Sequence, residues 1–178
     1  MEVRLKTISA SSIAEALSKV TLYRYLNEPE EAESICHDIL AVDPENQTAL
    51  RMLGLSLTDQ FTGESSDRYA DASGVFQRLS DPYERLYYTG LLYERRAKAQ
   101  ARARRPPQML ASLFHEAMRY FEEAEKVRPP ENEDAILRWN RCVRLLRTLP
   151  ATEEPRVATF EDHDTAPVQI VSRGARTR

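Results

Sequence analysis

Residues 28–46 read Glu28-Pro29-Glu30-Glu31-Ala32-Glu33-Ser34-Ile35-Cys36-His37-Asp38-Ile39-Leu40-Ala41-Val42-Asp43-Pro44-Glu45-Asn46, an amphipathic helix running into a proline turn. Ala32, Cys36 and Ile39 recur at spacings of four and three, so they stack on one face of an amphipathic helix. Pro44 cannot continue that helix and fixes the turn into the next. The following segment carries Leu50, Leu53, Gly54 and Leu57 at helical spacing. Gly54 removes a side chain where two helices would press closest together.

The same periodicity along the chain predicts seven helices. The first spans about 12–26, where Ser12-Ile13-Ala14-Glu15 has capping-box spacing. The second spans about 29–42, opened by Pro29 at an early helical position, and the third about 47–60. The loop Phe61-Thr62-Gly63-Glu64-Ser65-Ser66 follows, with Ser66 as N-cap of a fourth helix over about 67–80. There, Ala72, Phe76 and Leu79 repeat the spacing of Ala32, Cys36 and Ile39. Helix five starts at Pro82, carries Leu86, Gly90 and Tyr93, and runs on through Arg95-Arg96-Ala97-Lys98 to Arg105, where Pro106-Pro107 ends it. Helix six, about 109–127, has Ala117, Phe121 and Ala124; helix seven, about 132–148, has Ala135, Arg138, Trp139 and Cys142.

Composition supports an all-α chain: five glycines in 178 residues, and many Ala, Leu, Glu and Arg. The length is that of one domain able to bury a core. The net charge of -3 gives no reason to expect nucleic acid or an anionic membrane as partner. The N-terminal residues have no apolar run suited to a signal peptide, and nowhere do about eighteen apolar residues follow one another. The two cysteines, Cys36 and Cys142, occupy core positions, which suits a reducing cytoplasm better than a disulfide framework.

The small–apolar–small–proline pattern on one helix, followed by Leu-Gly on the next, resembles the tetratricopeptide repeat (TPR) family. The resemblance covers about 12–148 and is most specific at 28–57 and 109–130. It implies a right-handed α-solenoid of about three and a half TPR-like helical hairpins, with residues 1–11 as a lead-in. Trp139 stands where the family has glycine, so helix seven is expected to be a C-terminal capping helix plugged by that aromatic ring. Residues 149–178 read as a flexible polar tail. Within it Val168-Gln169-Ile170-Val171 is a short strand-forming segment that either docks or stays mobile.

In TPR proteins the first helix of each hairpin lines a concave groove that holds an extended peptide or a partner helix. Carried onto this chain, the lining is Arg24 on helix one and Arg51, Leu55 and Thr58 on helix three. Helix five adds Tyr87, Tyr88, Leu91 and Arg95, and helix seven adds Asn140 and Arg144. The lysine-and-asparagine set with which some family members clamp a terminal carboxylate is missing, since Thr48, Met52 and Leu55 stand there. The resemblance therefore implies a protein-binding adaptor or assembly factor with a mixed aromatic and basic groove, suited to a peptide carrying Asp or Glu.

Catalytic constellations are scarce. His115-Glu116 begins like a zinc-protease helix, but Arg119 occupies the place of the second histidine. Cys36 and His37 are adjacent and point to different sides of a helix. Asp162-His163-Asp164 is read as solvated tail rather than a metal site. No phosphate-binding glycine loop or nucleophile elbow occurs, so neither a catalytic residue, a metal nor a cofactor is expected. Charge layout says more. Between Arg24 and Arg51 no lysine or arginine occurs while seven acidic residues do, and Arg95, Arg96, Lys98, Arg102, Arg104 and Arg105 crowd the end of helix five. A second reading is therefore a homo-oligomeric structural element in which acidic and basic ends pair between copies. RNA binding by the basic helix ranks below both, because its arginines alternate with alanine rather than with stacking aromatics.

Overall fold

The computed structural model describes residues 3–64 and 68–150. Every regular element among them is helical. After a short 3-10 turn at Ala10–Ser12 come α1 (Ile13–Tyr25), α2 (Pro29–Val42), α3 (Gln47–Asp59) and α4 (Arg68–Gln77). Then follow α5 (Pro82–Arg102), α6 (Pro107–Lys126) and α7 (Asp134–Leu146). None of these helices is long and apolar enough to cross a membrane.

Local chemistry sets the ends. Pro29, Pro82 and Pro107 each stand in the first turn of their helices, where a missing N–H costs nothing. The Asn46 side chain accepts from the Ala49 N–H at 2.9 Å, and Asp81 does the same for Tyr83 at 2.9 Å. Asn27 (φ 61°) and Arg104 (φ 55°) take left-handed backbone just past α1 and α5. In both, the next N–H reaches back to the carbonyl five residues earlier, Glu28 to Tyr23 at 2.9 Å and Arg105 to Gln100 at 3.0 Å. That arrangement satisfies the last carbonyls of each helix. The expected cap at Ser12 does not form: its hydroxyl lies 2.7 Å from that of Ser9, inside the 3-10 turn. The proposed Ser66 cap and the tail segment Val168–Val171 lie outside the described residues.

Each helix packs against the next in the chain, and α1 also meets α3, α3 meets α5, and α5 meets α7. Ala32, Cys36, Ile39, Ala72, Phe76, Ala117, Phe121 and Ala124 are all fully buried, as their spacing predicts. Two apolar clusters result. One centres on Val20, Ile39, Leu50 and Phe76, the other on Leu91, Phe114, Phe121 and Cys142, with Leu55 and Tyr88 packed against both. Gly54 and Gly90 provide the space for an aromatic ring of the next helix. A Cβ on Gly54 would sit 2.2 Å from the Phe76 ring, and one on Gly90 would sit 2.7 Å from Phe121. Fully burying rings of this size contributes about 2–3 kcal/mol each.

Helix α7 departs from expectation. Trp139 is 37% exposed and plugs nothing; Ala135 and Cys142 carry the buried face of α7. Those two lie seven residues apart, nearly two full turns, and Trp139 falls about 50° to the side of the line joining them.

Burial pushes both thiols up to about 12, Cys36 on α2 with Arg24 opposing more weakly, and Cys142 on α7, where Glu94 adds to the rise and Lys98 and Arg138 oppose it. Neither thiol should react with an aromatic disulfide reagent at pH 8 in the folded protein, and both should react in denaturant. Rapid labelling of either without denaturant would contradict the packing described.

Glu33 ties α2 to the start of α4. It accepts from Gln60 at 2.6 Å and from Arg68 at 2.5 Å. Burial alone would raise its pKa, but the Gln60 and Arg68 contacts outweigh it and hold the carboxyl below its ordinary value. The stabilisation is thus present above the ordinary carboxylate range and lost as pH falls through the lowered pKa. A Glu33→Gln chain should show a smaller loss of melting temperature on acidification than wild type; an identical loss would remove Glu33 as a contributor.

Candidate ligand-binding face

The contacts of α1 with α3, α3 with α5 and α5 with α7 bring the odd-numbered helices side by side, so residues on one stripe of each share a face. On α3 that stripe is Arg51, Leu55, Thr58 and Asp59; on α5 it is Tyr88, Arg95, Lys98 and Arg102, at spacings of seven, three and four.

Asp59 joins three helices. Its Oδ2 accepts from Arg24 Nε of α1 at 2.8 Å, and its Oδ1 accepts from Arg95 Nη1 of α5. Arg95 Nη1 also donates to Thr58 Oγ1 at 2.6 Å and to the Leu55 carbonyl at 3.2 Å. Burial pulls the Arg95 guanidinium below its usual value while Asp59 acts the other way. It stays charged at neutral pH, because arginine starts so far up the scale.

A second carboxylate, Glu94, is fully buried one residue away. Its Oε1 accepts from Lys98 Nζ and lies 3.5 Å from Arg138 Nη1 of α7. Burial works against the charge on Arg138, but its hydrogen bond to Tyr87 and the proximity of Glu94 outweigh that and hold its pKa above the usual arginine value. Between these groups lies an open cavity of about 250 Å³ lined by Thr58, Asp59, Arg95, Lys98, Arg102 and Arg138. Arg102 reaches the Phe61 carbonyl at 3.4 Å.

The other end of the face is aromatic. Tyr88 stacks on Phe76 at 5.3 Å and meets Tyr87 edge-on at 5.1 Å; Tyr87 stacks on Tyr83 at 5.7 Å. Arg51 Nη2 lies 3.3 Å from Glu84 Oε1. Burial raises the Tyr88 pKa, as expected for a phenol packed into a helix junction.

The expected lining residues are therefore distributed unevenly. Arg24, Arg51, Leu55, Thr58 and Arg95 lie on the α1–α3–α5 side, with Tyr87 and Tyr88 packed among neighbouring rings. Leu91 is 2% exposed and belongs to the core rather than to a lining. On α7 the residue at the cavity is Arg138. Asn140, two positions on, points about 200° round the helix from it, and Arg144 is exposed on a different stripe. Sequence reasoning missed Asp59 and Glu94. The Glu94–Lys98 pair has the i,i+4 spacing that signals a helix ion pair, and the Arg95, Lys98, Arg102 stripe was readable from its period.

The crowded cations of helix five are not one projecting stripe. Arg95 faces Asp59, Lys98 faces Glu94, and Arg96 lies 4.2 Å over the Tyr69 ring, while Arg102, Arg104 and Arg105 are exposed. The acidic stretch is likewise partly consumed, with Glu33 facing Arg68 and Glu45 facing Arg78 at 3.4 Å.

Neither the family models, the curated proteins nor the solved structures compared with this chain match it.

Proposed function

We propose that this chain is a TPR-like module that binds another protein, acting as an adaptor or assembly factor in the cytoplasm. In this reading about three and a half helical hairpins form a right-handed solenoid, and α1, α3, α5 and α7 form the receiving face. The observation that carries it is the run of contacts linking the odd-numbered helices, with a basic cavity opening where α3, α5 and α7 meet. Convergent cations beside an aromatic wall suit an extended segment or helix that carries acidic groups.

The experiment must spare the core. Tyr88 stacks on Phe76 and is packed against both clusters, so its removal would disturb the fold together with the face. Arg102 and Arg138 are better handles, since Arg102 is exposed and the Arg138 side chain is 37% exposed. A partner purified on the immobilised chain should bind the Arg102→Glu, Arg138→Gln double variant at least about tenfold more weakly than wild type. Glu122→Lys, on the exposed side of α6, should leave the affinity unchanged. Equal affinity for the double variant and wild type would remove the odd-helix face as the binding surface.

A further inference from the structure

The cavity between α3, α5 and α7 has an unusual balance of charge. Arg95, Lys98, Arg102 and Arg138 line it, Arg24 stands behind Asp59, and the carboxylates among them are Asp59 and Glu94. The two carboxylates are held by the innermost of these contacts. Asp59 lies between Arg24 and Arg95, and Glu94 sits at zero exposure beneath Lys98 and Arg138. Both acids therefore act inward, as anchors that fix where the cationic side chains stand, and the four cations lining the cavity against these two acids leave a positive excess of about two at the mouth.

Guanidinium groups carry five N–H donors each in a planar fork. The contacts of Arg102 with the Phe61 carbonyl and of Arg138 with Glu94 and Tyr87 use only part of that number. A single carboxylate brings one negative charge and two acceptor oxygens. A phosphate monoester brings close to two charges and three terminal oxygens, which matches the excess and the number of donors better. The cavity, about 250 Å³ and open to solvent, has room for such a group at the end of a side chain.

We propose that this cavity is a binding site for a phosphate monoester, carried on a serine or threonine of the partner. The site rests on the cavity's own geometry; only the identity of the carrier rests on the protein-binding reading above. Glu94 is then a positioning residue, which holds Lys98 and Arg138 at the mouth without touching the ligand.

The test titrates the full chain, at constant ionic strength, with inorganic phosphate, acetyl-phosphoserine amide, a phosphoserine heptapeptide and acetate, following backbone and arginine side-chain NMR shifts. Saturable shifts confined to residues around Thr58, Arg95, Arg102 and Arg138 are expected, with acetate at least about tenfold weaker than phosphate. Arg102→Gln, at an exposed position, should weaken phosphate binding several-fold with an unchanged melting temperature. Glu94→Gln should weaken it too, and Glu94→Asp should restore part of the loss. Tighter binding of the heptapeptide than of the amide would assign the phosphoryl group to a protein partner. Equal binding of the two would keep the phosphate site and assign it to a free phosphate ester. Shifts that grow linearly with every anion, or acetate binding as well as phosphate, would overturn the proposal. Either result would leave the protein-binding reading to be judged by partner affinity alone.

Discussion

Gly54→Leu should lower stability by about 3 kcal/mol or more, the upper end of what overpacking costs. The Cβ alone would lie 2.2 Å from Phe76 Cε1, so the ring must leave its place or α3 and α4 must separate. The better helix propensity of leucine offsets only about 1 kcal/mol of this. Phe76→Ala, which removes a fully buried ring, should cost about 3–5 kcal/mol. The two changes together should cost clearly less than their sum, because leucine at 54 then occupies the space the ring vacated. Strict additivity in denaturant unfolding would show that Gly54 and Phe76 are not partners. Because each helix leans chiefly on its chain neighbours, the loss should appear in hydrogen exchange first in α3 and α4 and then in α5.

The second large effect is expected at Asp59. Its two arginine partners come from α1 and α5, and the three side chains are 20–28% exposed. Asp59→Ala leaves two half-buried guanidinium groups facing one another. Losing one partner of a buried pair costs about 3–5 kcal/mol, and solvent at these partly exposed groups reduces the expectation to about 2–3 kcal/mol. Adding Arg95→Met should recover part of that, since it removes one stranded charge. A double variant no more stable than Asp59→Ala alone would mean that Arg95 is held by Thr58 and the Leu55 carbonyl rather than by Asp59.

The helices and their buried faces were legible because periodicity and proline act locally. Ala32, Cys36 and Ile39 could be placed inside from spacing alone, and so could Phe76 and Phe121. Side chains whose environment depends on an element far along the chain were harder to place. Asp59 looks like an ordinary residue at the end of α3 until α1 and α5 deliver Arg24 and Arg95 to it. Glu94 lies in a run of charge that reads as solvated, yet α7 closes over it and makes it the most deeply buried carboxylate among the described residues. The register of the preceding helices points Trp139 inward, yet it is 37% exposed. Among the described residues α7 packs against α5 and α6, so a bulky ring can stand at its edge, and Ala135 and Cys142 are the residues buried there. Asn140 and Arg144 follow from the same register, yet the residue of α7 that reaches the cavity is Arg138, on another side of the helix. At Ser12 a correct capping spacing was overridden by the 3-10 turn that precedes α1.

Whether the odd-numbered helices form the partner-binding face can be read by position-specific photo-crosslinking. A photoreactive residue would be placed in turn at Arg102 and Arg51 on that face and at His115 and Glu122 on α6, in cells that make the chain. One partner band is expected from Arg102 and Arg51, lost when Arg138→Gln is added, and none from His115 or Glu122. The same partner crosslinked from α6, and not from Arg102 or Arg51, would contradict it.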